Sequence, residues 1–169
     1  MEFTPHEFAE LYKEIYKDLY RYALYSLGDA EDAKDAVSDA VLDGFRQRGT
    51  LQSRDHFRQW MFAILANKCR RKKREYVDRR ANEQMKSEEP EDAEAWNVPD
   101  EKAPDVSRNL WIRQLFFSLE EEERQILSLH LFAGYTSEEI GRLLGMKAAT
   151  VRSKEHRALQ KLRKEVEKS

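Results

Sequence analysis

The side chains best suited to bind nucleic acid form a cationic run from Lys68 to Arg74, in which six of seven residues are Lys or Arg. The run continues a segment with helical apolar spacing, so we expect its charges on a helix that can follow a phosphate backbone. Asn67, just before it, offers a donor and an acceptor to the edge of an unstacked base. Cations also suit a solvated helix end, but six exceed what capping needs. The sequence therefore predicts nucleic-acid contacts from Asn67, Lys68, Arg70, Arg71, Lys72, Lys73 and Arg74.

A second candidate nucleic-acid site lies in residues 136–162, which have the pattern of two helices joined by a tight turn. Thr136 and Glu139 form a capping box, and Gly145 can take the left-handed conformation that ends a helix. A short helix, a glycine turn and a basic second helix are typical of a helix-turn-helix, although an ordinary hairpin with a solvated basic face has the same pattern. The candidate contacts are Arg152 and Arg157 to guanine or phosphate, Ser153 and His156 to base edges, and Lys154 to phosphate.

A third segment, the helix predicted after Asp29, has small apolar residues on one face and acids on the other. The acids are Glu31, Asp32, Asp35, Asp39 and Asp43. No histidine accompanies them, and acids near a helix N-terminus are favoured by the helix dipole, so a metal or acid–base site is not indicated. A solvated face is the simplest interpretation. The functional alternative is a protein-binding face that selects a basic partner.

Composition restricts the function classes further. The chain has 169 residues and a single cysteine, Cys69, which excludes an internal disulfide and fits a reducing cytoplasm. The N-terminus lacks a signal-peptide pattern, and no apolar run approaches the ~20 residues of a membrane span, so we expect a soluble, cytoplasmic protein without a direct membrane span. We find no nucleophile–base set, glycine-rich phosphate loop or metal-ligand spacing, so neither enzyme activity nor a cofactor is predicted.

Charge is unevenly distributed along the chain. Residues 1–85 carry 16 Lys and Arg against 15 Asp and Glu (net +1), residues 86–106 carry 2 against 8 (net −6), and residues 107–169 carry 12 against 9 (net +3). The acidic segment also holds three of the four prolines and has no sustained periodicity, so it is predicted to be a flexible linker. Between residues 87 and 104, its only large apolar groups are Trp96 and Val98. Two helical domains joined by an acidic linker are the predicted organisation.

Capping signals predict the elements that position these sites. Thr4, with Pro5 and Glu7, is predicted to start a first helix that Gly28 ends, and Asp29 to cap the second. A third helix is predicted from about Arg54, with Phe57, Trp60, Met61, Ile64 and Leu65 on its apolar face.

The second half has its own capping signals. Ser107 is predicted to cap a helix, and Ser118 with Glu121 to form a capping box for the next. On that next helix, His130 and Leu131 fall on the apolar side with Ile126 and Leu127. We therefore interpret His130 as a packed core histidine rather than a ligand.

Three stretches together resemble the extracytoplasmic-function branch of bacterial sigma factors in the sigma-70 family. Residues 32–45 are similar to its core-polymerase-binding helix, and residues 57–67 with the following basic run to its −10 element segment. Residues 118–127, with Gly134, Glu139-Ile140 and residues 150–153, are similar to its −35-binding domain. The sequence departs from the family pattern at Lys34, Ser38, Glu120 and Glu155.

The resemblance implies an all-α protein without catalytic residues or a cofactor. It implies a region 2-like domain at residues 1–85, an acidic linker at 86–106 and a region 4-like domain at 107–169. The implied partners are core RNA polymerase, through its β′ coiled coil and β flap, promoter DNA and, in some family members, an anti-sigma factor. The implied site residues are Asp32, Asp35, Ser38, Asp39, Val41 and Leu42 for polymerase, Trp60 with the Asn67–Arg74 cations for the −10 element, and Thr150, Arg152, Ser153, Lys154, His156 and Arg157 for the −35 element.

Two other functions are compatible with parts of the sequence. A free-standing helix-turn-helix regulator explains residues 107–169 but leaves the acidic helix and the cationic run without a role. An interaction protein, such as a decoy or adaptor, would use the DNA surface only weakly.

Overall fold

A computed structural model describes residues 3–82 and 106–168, with side chains described for 3–79 and 111–168. The described residues form seven α-helices and no strand, as the all-α prediction requires. The helices are α1 (Pro5–Leu27), α2 (Ala30–Arg46), α3 (Phe57–Asn82), α4 (Val106–Phe117), α5 (Glu121–Leu131), α6 (Ser137–Leu144) and α7 (Ala148–Lys168). In these ranges, none of the helices is long and apolar enough to cross a membrane. The predicted linker, including Trp96 and Val98, lies outside the described residues apart from Val106.

The first helix begins and ends at the predicted residues, and the second begins at its predicted cap. The Thr4 hydroxyl accepts a hydrogen bond from the Glu7 backbone N–H, and the Glu7 carboxylate accepts one from the Thr4 N–H, so the capping box is confirmed. Gly28 ends α1 with a φ of 76°, a conformation that glycine adopts without a Cβ clash. Asp29 then caps α2 through the Asp32 N–H. Local capping therefore sets the antiparallel turn between α1 and α2.

Helix α3 carries both the apolar face and the cationic run without a break. A short 3-10 turn, Arg54–His56, leads into it, and the α-helix continues from Phe57 to Asn82. Helix α3 packs against α1 and α2, and Gly44 permits the close approach to α2. A Cβ at Gly44 would lie 2.6 Å from the Met61 sulfur. The cationic residues are thus attached rigidly to the packed core.

Two capping predictions in the second half are wrong by one or two residues. Helix α4 begins at Val106, so Ser107 lies inside its first turn. Helix α5 begins at Glu121 with Glu120 as the N-cap, and the Glu120 N–H donates to the Glu123 carboxylate at 3.2 Å. Ser118 instead donates its hydroxyl to the Leu115 carbonyl at the end of α4. Serine can satisfy either helix end, and here it satisfies the preceding one.

The interpretation of His130 as a core histidine is also wrong. Its side chain is about half exposed (49%), with Nδ1 3.1 Å from the Tyr135 carbonyl oxygen and Nε2 3.7 Å from the Glu155 carboxylate. Leu131 beside it is exposed as well. Ala133 and Tyr135, which follow them, are buried in the same cluster as Ile126 and Leu129. The core therefore continues past His130 and Leu131, which lie off the side of α5 that faces it, and helical spacing alone assigned them to the wrong side.

The two halves of the chain share one hydrophobic core. Helix α1 contacts α2 and α3 on one side and α4 and α5 on the other. Leu19 and Tyr22 of α1 and Ile126 and Leu129 of α5 are all fully buried in the same cluster. The described helices of the two predicted domains are therefore packed against each other rather than held apart.

The turn of the helix-turn-helix leaves no room for a side chain at Gly141. A Cβ there would lie 2.5 Å from the Met146 carbonyl oxygen, a backbone atom that cannot move away easily. We expect Gly141→Ala to lower the free energy of unfolding by ~1–3 kcal/mol, measured by urea denaturation. Gly145→Asn is the control, because Gly145 has a φ of 72°, which asparagine tolerates, and open space around it. Equal stability of Gly141→Ala and wild type would contradict this account.

Candidate nucleic-acid and polymerase interfaces

Helix α7 presents the predicted base-reading side chains to solvent in its first turns. Thr150, Arg152, Ser153, His156 and Arg157 are all exposed. The buried side of the helix is formed instead by Val151 and Ala158, which are fully buried, and by Leu162. Because the N-terminal part of a recognition helix is the part that contacts base edges, this orientation suits major-groove reading.

Lys154 is placed differently from the other candidates on α7. It is half-buried and its ammonium lies 3.0 Å from the Glu122 carboxylate of α5. It is part of a series in which three successive glutamates of α5 each pair with a cation from elsewhere: Glu121 with Lys73, Glu122 with Lys154, and Glu123 with Lys161. These glutamates also occupy the first turn of α5, where the helix dipole favours them. The first turn of α5 therefore places three carboxylates between the two basic helices, α3 and α7.

The two family departures in this half have structural roles. Glu120 is the N-cap of α5, and Glu155 is half-buried against His130. On the exposed face of α7, the Arg152 guanidinium lies 3.4 Å from the Glu138 carboxylate of α6. Both side chains are exposed, so this pair leaves the guanidinium at the surface. Neither departure blocks the exposed reading face of α7.

The candidate −10 residues on α3 are brought together, but several of them are already engaged. Trp60 is half-buried against the core, where its ring lies close to Gly44. Asn67 is exposed, and its side-chain oxygen accepts a hydrogen bond from the Arg70 guanidinium. Lys68 pairs with Asp43 of α2, and this ammonium holds the pKa of Asp43 below its ordinary value. Of the predicted cations, Arg71 and Arg74 are the most exposed.

Helix α2 presents a mixed acidic and apolar face to solvent. Asp32, Asp35, Ser38 and Asp39 are exposed, Val41 is half-buried and Leu42 is 53% exposed. A singly exposed leucine is common on protein surfaces, so its exposure beside carboxylates fits a solvated face as well as a protein-binding one. The predicted polymerase-binding residues therefore form one surface along α2.

Sequence reasoning missed the residues that join the two halves. Arg58 of α3 donates to the Phe132 and Ala133 carbonyls and pairs with Asp18 of α1 at 2.7 Å. The Tyr135 hydroxyl donates to the Gln59 carbonyl. No sequence signal distinguishes these side chains from ordinary surface residues, because their acceptors are backbone carbonyls.

Further contacts extend the same junction along α1 and α3. Arg124 of α5 donates to the Tyr25 carbonyl at 2.9 Å, and burial lowers the pKa of its guanidinium. The Tyr25 ring stacks on Phe132 and makes a tilted contact with Phe116, with centroids 5.6 and 4.6 Å away, and the three rings form one aromatic group. Arg70 reaches the Leu143 carbonyl at the end of α6 at 3.0 Å. Together with the Lys73–Glu121 pair, the junction thus includes two of the cations that the sequence assigned to nucleic acid.

Four buried polar side-chain atoms of α1 and α5 form no hydrogen bond of normal geometry within the described residues. They are the Tyr22 and Ser26 hydroxyls, the Gln125 amide nitrogen and the Ser128 hydroxyl. Two of them still have polar neighbours: Gln125 lies close enough to Tyr22, and Ser26 close enough to Cys69 of α3, to offset part of the rise that burial causes in the pKa of Tyr22 and of the thiol. We call this group of weakly aligned polar contacts among α1, α3 and α5 the polar seam.

Cys69 lies at the polar seam on the buried side of α3. Burial raises the pKa of its thiol to about 12, despite the nearby Lys73 ammonium. Its fractional exposure is zero. The thiol is therefore unreactive in this arrangement.

Two known families match separate parts of the chain. Sigma-70 region 2 matches residues 11–79, which contain most of α1, all of α2 and most of α3. Sigma-70, region 4 matches residues 115–164, which contain α5, α6 and most of α7. The two matches include every candidate residue of the three surfaces described above.

Curated proteins with similar sequences are RNA polymerase sigma factors. The chain is 34% identical over 108 residues to the ECF RNA polymerase sigma factor ShbA of Streptomyces griseus, covering 63% of this chain and 56% of that protein. It is 23% identical over 160 residues to the RNA polymerase sigma factor YlaC of Bacillus subtilis, covering 95% and 92% of the two chains. The first match thus spans little more than half of its relative, and the second nearly all.

A solved structure has the same fold. The sigma factor RpoE from Bartonella quintana, in its complex with the anti-sigma factor NepR, superposes with a TM-score of 0.78 and 16% identity, over 95% of this chain and 96% of that one.

The Lys161–Glu123 pair is expected to anchor α7 on α5. The Lys161 ammonium lies 2.7 Å from a carboxylate that is only 6% exposed. We expect Lys161→Met to lower the free energy of unfolding by ~1–3 kcal/mol, because it leaves a buried carboxylate without its cation. Lys168→Met is the control: it breaks the exposed Lys168–Glu165 pair in the same helix and should change stability by less than ~0.5 kcal/mol. Urea denaturation measures both, and equal effects would contradict the anchoring role.

Proposed function

This chain belongs to the extracytoplasmic-function branch of the sigma-70 family of RNA polymerase sigma factors, and from that premise we propose which of its surfaces binds each promoter element and which binds core polymerase. A sigma factor of this family is not an enzyme; it binds core RNA polymerase and directs transcription initiation at promoters. The observation that carries the assignment of surfaces is the exposure of three chemically different faces on three helices: the reading face of α7, the cationic end of α3 and the acidic face of α2.

We assign the −35 element to α7. Arg152 and Arg157 can each donate two hydrogen bonds to guanine or bind phosphate, and Ser153 and His156 can reach base edges. Thr150 lies at the N-terminal end of the same exposed face. Lys154 contributes to phosphate binding only if it leaves Glu122, so we give it a secondary role.

We assign the −10 element to the end of α3. A single strand needs cations along its backbone and a site that captures an unstacked base. Lys68, Arg70, Arg71, Lys72, Lys73 and Arg74 supply the cations, Asn67 the polar contact to the base, and Trp60 an aromatic surface beside it. Helix α3 is rigid here because the same helix is packed in the core.

We assign core polymerase to α2, with the β′ coiled coil as the docking element and the β flap as the contact of the second half. Asp32, Asp35 and Asp39 supply negative charge for a basic partner. Ser38, Val41 and Leu42 supply the uncharged centre of the surface. This combination of an apolar centre and a charged rim is the usual anatomy of a protein interface.

The domain limits and location follow from the same assignment. We place the region 2 domain at residues 1–85, the linker at 86–106 and the region 4 domain at 107–169, each limit lying outside the family match it encloses. Because the protein acts on RNA polymerase, we place it in the cytoplasm. An anti-sigma factor is a further proposed partner, supported by the likeness to RpoE, which was solved with NepR.

The free-standing regulator is the less economical alternative. It uses only the helix-turn-helix and gives no role to the region 2 match or to the exposed acidic face of α2. A pure interaction protein is also less economical, because it gives no role to the exposed arginines of α7.

A transcription assay tests the assignment. The purified protein, bacterial core RNA polymerase and fragmented DNA of the host genome should yield RNA 5′ ends whose upstream sequences share −35 and −10 elements. Asp39→Arg should abolish these transcripts by placing positive charge against a basic partner. Arg157→Ala should weaken promoter binding by ~1–3 kcal/mol, or roughly 5- to 150-fold, because a base or phosphate contact is lost.

Matched variants control for general damage. Glu10→Arg makes a similar charge reversal on α1, away from α2's exposed face, and Lys168→Ala removes a cation from the far end of α7. Both should transcribe as wild type does. Retained duplex binding with no binding to core polymerase would replace the sigma-factor assignment by the free-standing regulator.

A further inference from the structure

We propose that Glu138 of α6 is a positioning residue for −35 recognition: it holds one nitrogen of the Arg152 guanidinium so that the remaining edge reads a guanine. The inference deepens the proposed function and rests on it, because it concerns the face of α7 that we assign to the −35 element. Glu138 itself does not touch the base. It acts through Arg152, which without it can turn towards any nearby phosphate.

The Arg152–Glu138 pair joins the two helices of the helix-turn-helix at one border of the reading face of α7. Arg152 Nη1 donates to Glu138 Oε1 at 3.4 Å. Among the described residues, Nε and Nη2 of Arg152 have no hydrogen-bond partner. These two nitrogens form one edge of the guanidinium fork, and such an edge matches the O6 and N7 acceptors of guanine. The pair therefore occupies one nitrogen and leaves a complete guanine-reading edge.

Both partners of this pair are attached to backbone that the core fixes. Val151, next to Arg152, and Ile140, two residues after Glu138, are fully buried. The turn between the helices is also tight, since a Cβ at Gly141 would lie 2.5 Å from a backbone carbonyl oxygen. The pair therefore restrains the long arginine side chain rather than the two helices, which are already held.

A role in stability does not account for Glu138. The capping box of α6 uses Thr136 and Glu139 instead. The side chains of Arg152 and Glu138 are 58% and 65% exposed, and pairs so exposed contribute little free energy in water. DNA that covers the pair excludes water from it and strengthens the attraction between the two charges. The orienting effect is therefore largest when α7 lies on DNA.

A second ion pair, at the other border of the reading face, provides a contrast. Arg152 and Lys154 are two residues apart, which places them about 200° apart around the helix. Lys154 lies 3.0 Å from Glu122 of α5, but its ammonium is a point charge without a forked edge to orient. Removing Glu122 frees a cation for phosphate, and phosphate contacts carry no sequence information directly. The same change from glutamate to glutamine is thus expected to act differently at the two borders.

Guanine analogues test the orienting role. The chain is bound to core polymerase and a promoter fragment chosen by the start-site mapping above, and each −35 guanine of either strand is replaced in turn by 7-deazaguanine, which lacks the N7 acceptor. For wild type, replacing the guanine that Arg152 reads should weaken binding roughly 3- to 10-fold, because one of two hydrogen bonds is lost. Arg152→Ala should be insensitive to that replacement, which identifies the guanine.

Glu138→Gln should reduce this penalty to less than about twofold, because Arg152 remains but is no longer held. In the Arg152→Ala background, Glu138→Gln should leave the penalty unchanged, as a double-mutant cycle requires of a residue that acts through Arg152. Glu122→Gln is the matched control: it removes the same charge at the other border, should tighten binding to both fragments and should keep the wild-type penalty. Circular dichroism of each variant checks that the helices remain formed.

The outcomes separate the positioning role from the proposed function. A wild-type penalty in Glu138→Gln, or an equal reduction in Glu138→Gln and Glu122→Gln, overturns the positioning role and leaves the sigma-factor assignment intact. A −35 element without guanine, or an Arg152→Ala variant as sensitive as wild type to every replacement, overturns it in the same way. If the chain binds no core polymerase and yields no start sites, the proposed function fails, and the role in −35 recognition fails with it.

Discussion

The packing of both halves of the chain against one helix, α1, is the constraint on which the rest of the structure depends. One side of α1 completes the core with α2 and α3, and the other side contacts α4 and α5. Leu19 and Tyr22 are fully buried in the cluster that also contains Ile126 and Leu129. Because α1 is a single rigid helix between two capped ends, the cationic end of α3 and the acidic first turn of α5 are brought to the same place.

That arrangement explains how a chain with a net charge of −2 can carry the two cationic surfaces that we assign to promoter DNA. The acids are concentrated opposite the cations rather than spread evenly. Glu121, Glu122 and Glu123 each pair with a lysine of α3 or α7, and Asp43 pairs with Lys68. The outer face of α7 retains its exposed arginines. Ion pairs with nearby carboxylates thus determine which cations remain available to a ligand, and the net charge of the chain does not show which these are.

The contact between the halves combines strong and weak elements. The contacts of the Tyr25 ring with Phe116 and Phe132, together with the buried leucines, favour packing, since aromatic pairs add about 0.5–1.5 kcal/mol beyond the area they bury. The polar seam adds little, because its Tyr22–Gln125 and Ser26–Cys69 contacts lack the geometry of strong hydrogen bonds. The junction therefore depends mainly on its apolar and aromatic contacts and on the hydrogen bonds that its arginines donate to backbone carbonyls.

The sequence by itself determined the elements and their surface chemistry, because these depend on residues a few positions apart. The capping boxes at Thr4 and Thr136, the left-handed glycines Gly28 and Gly145, the acidic face of α2 and the basic face of α7 could all be predicted in this way. Only the tertiary structure decided which side chains are free. Arg58, Arg70 and Tyr135 bond to backbone carbonyls more than 70 residues away, and a carbonyl carries no sequence signal. His130 was misplaced for the same reason: its exposure depends on which side of α5 faces a core built from distant residues, and helical spacing alone does not determine that side.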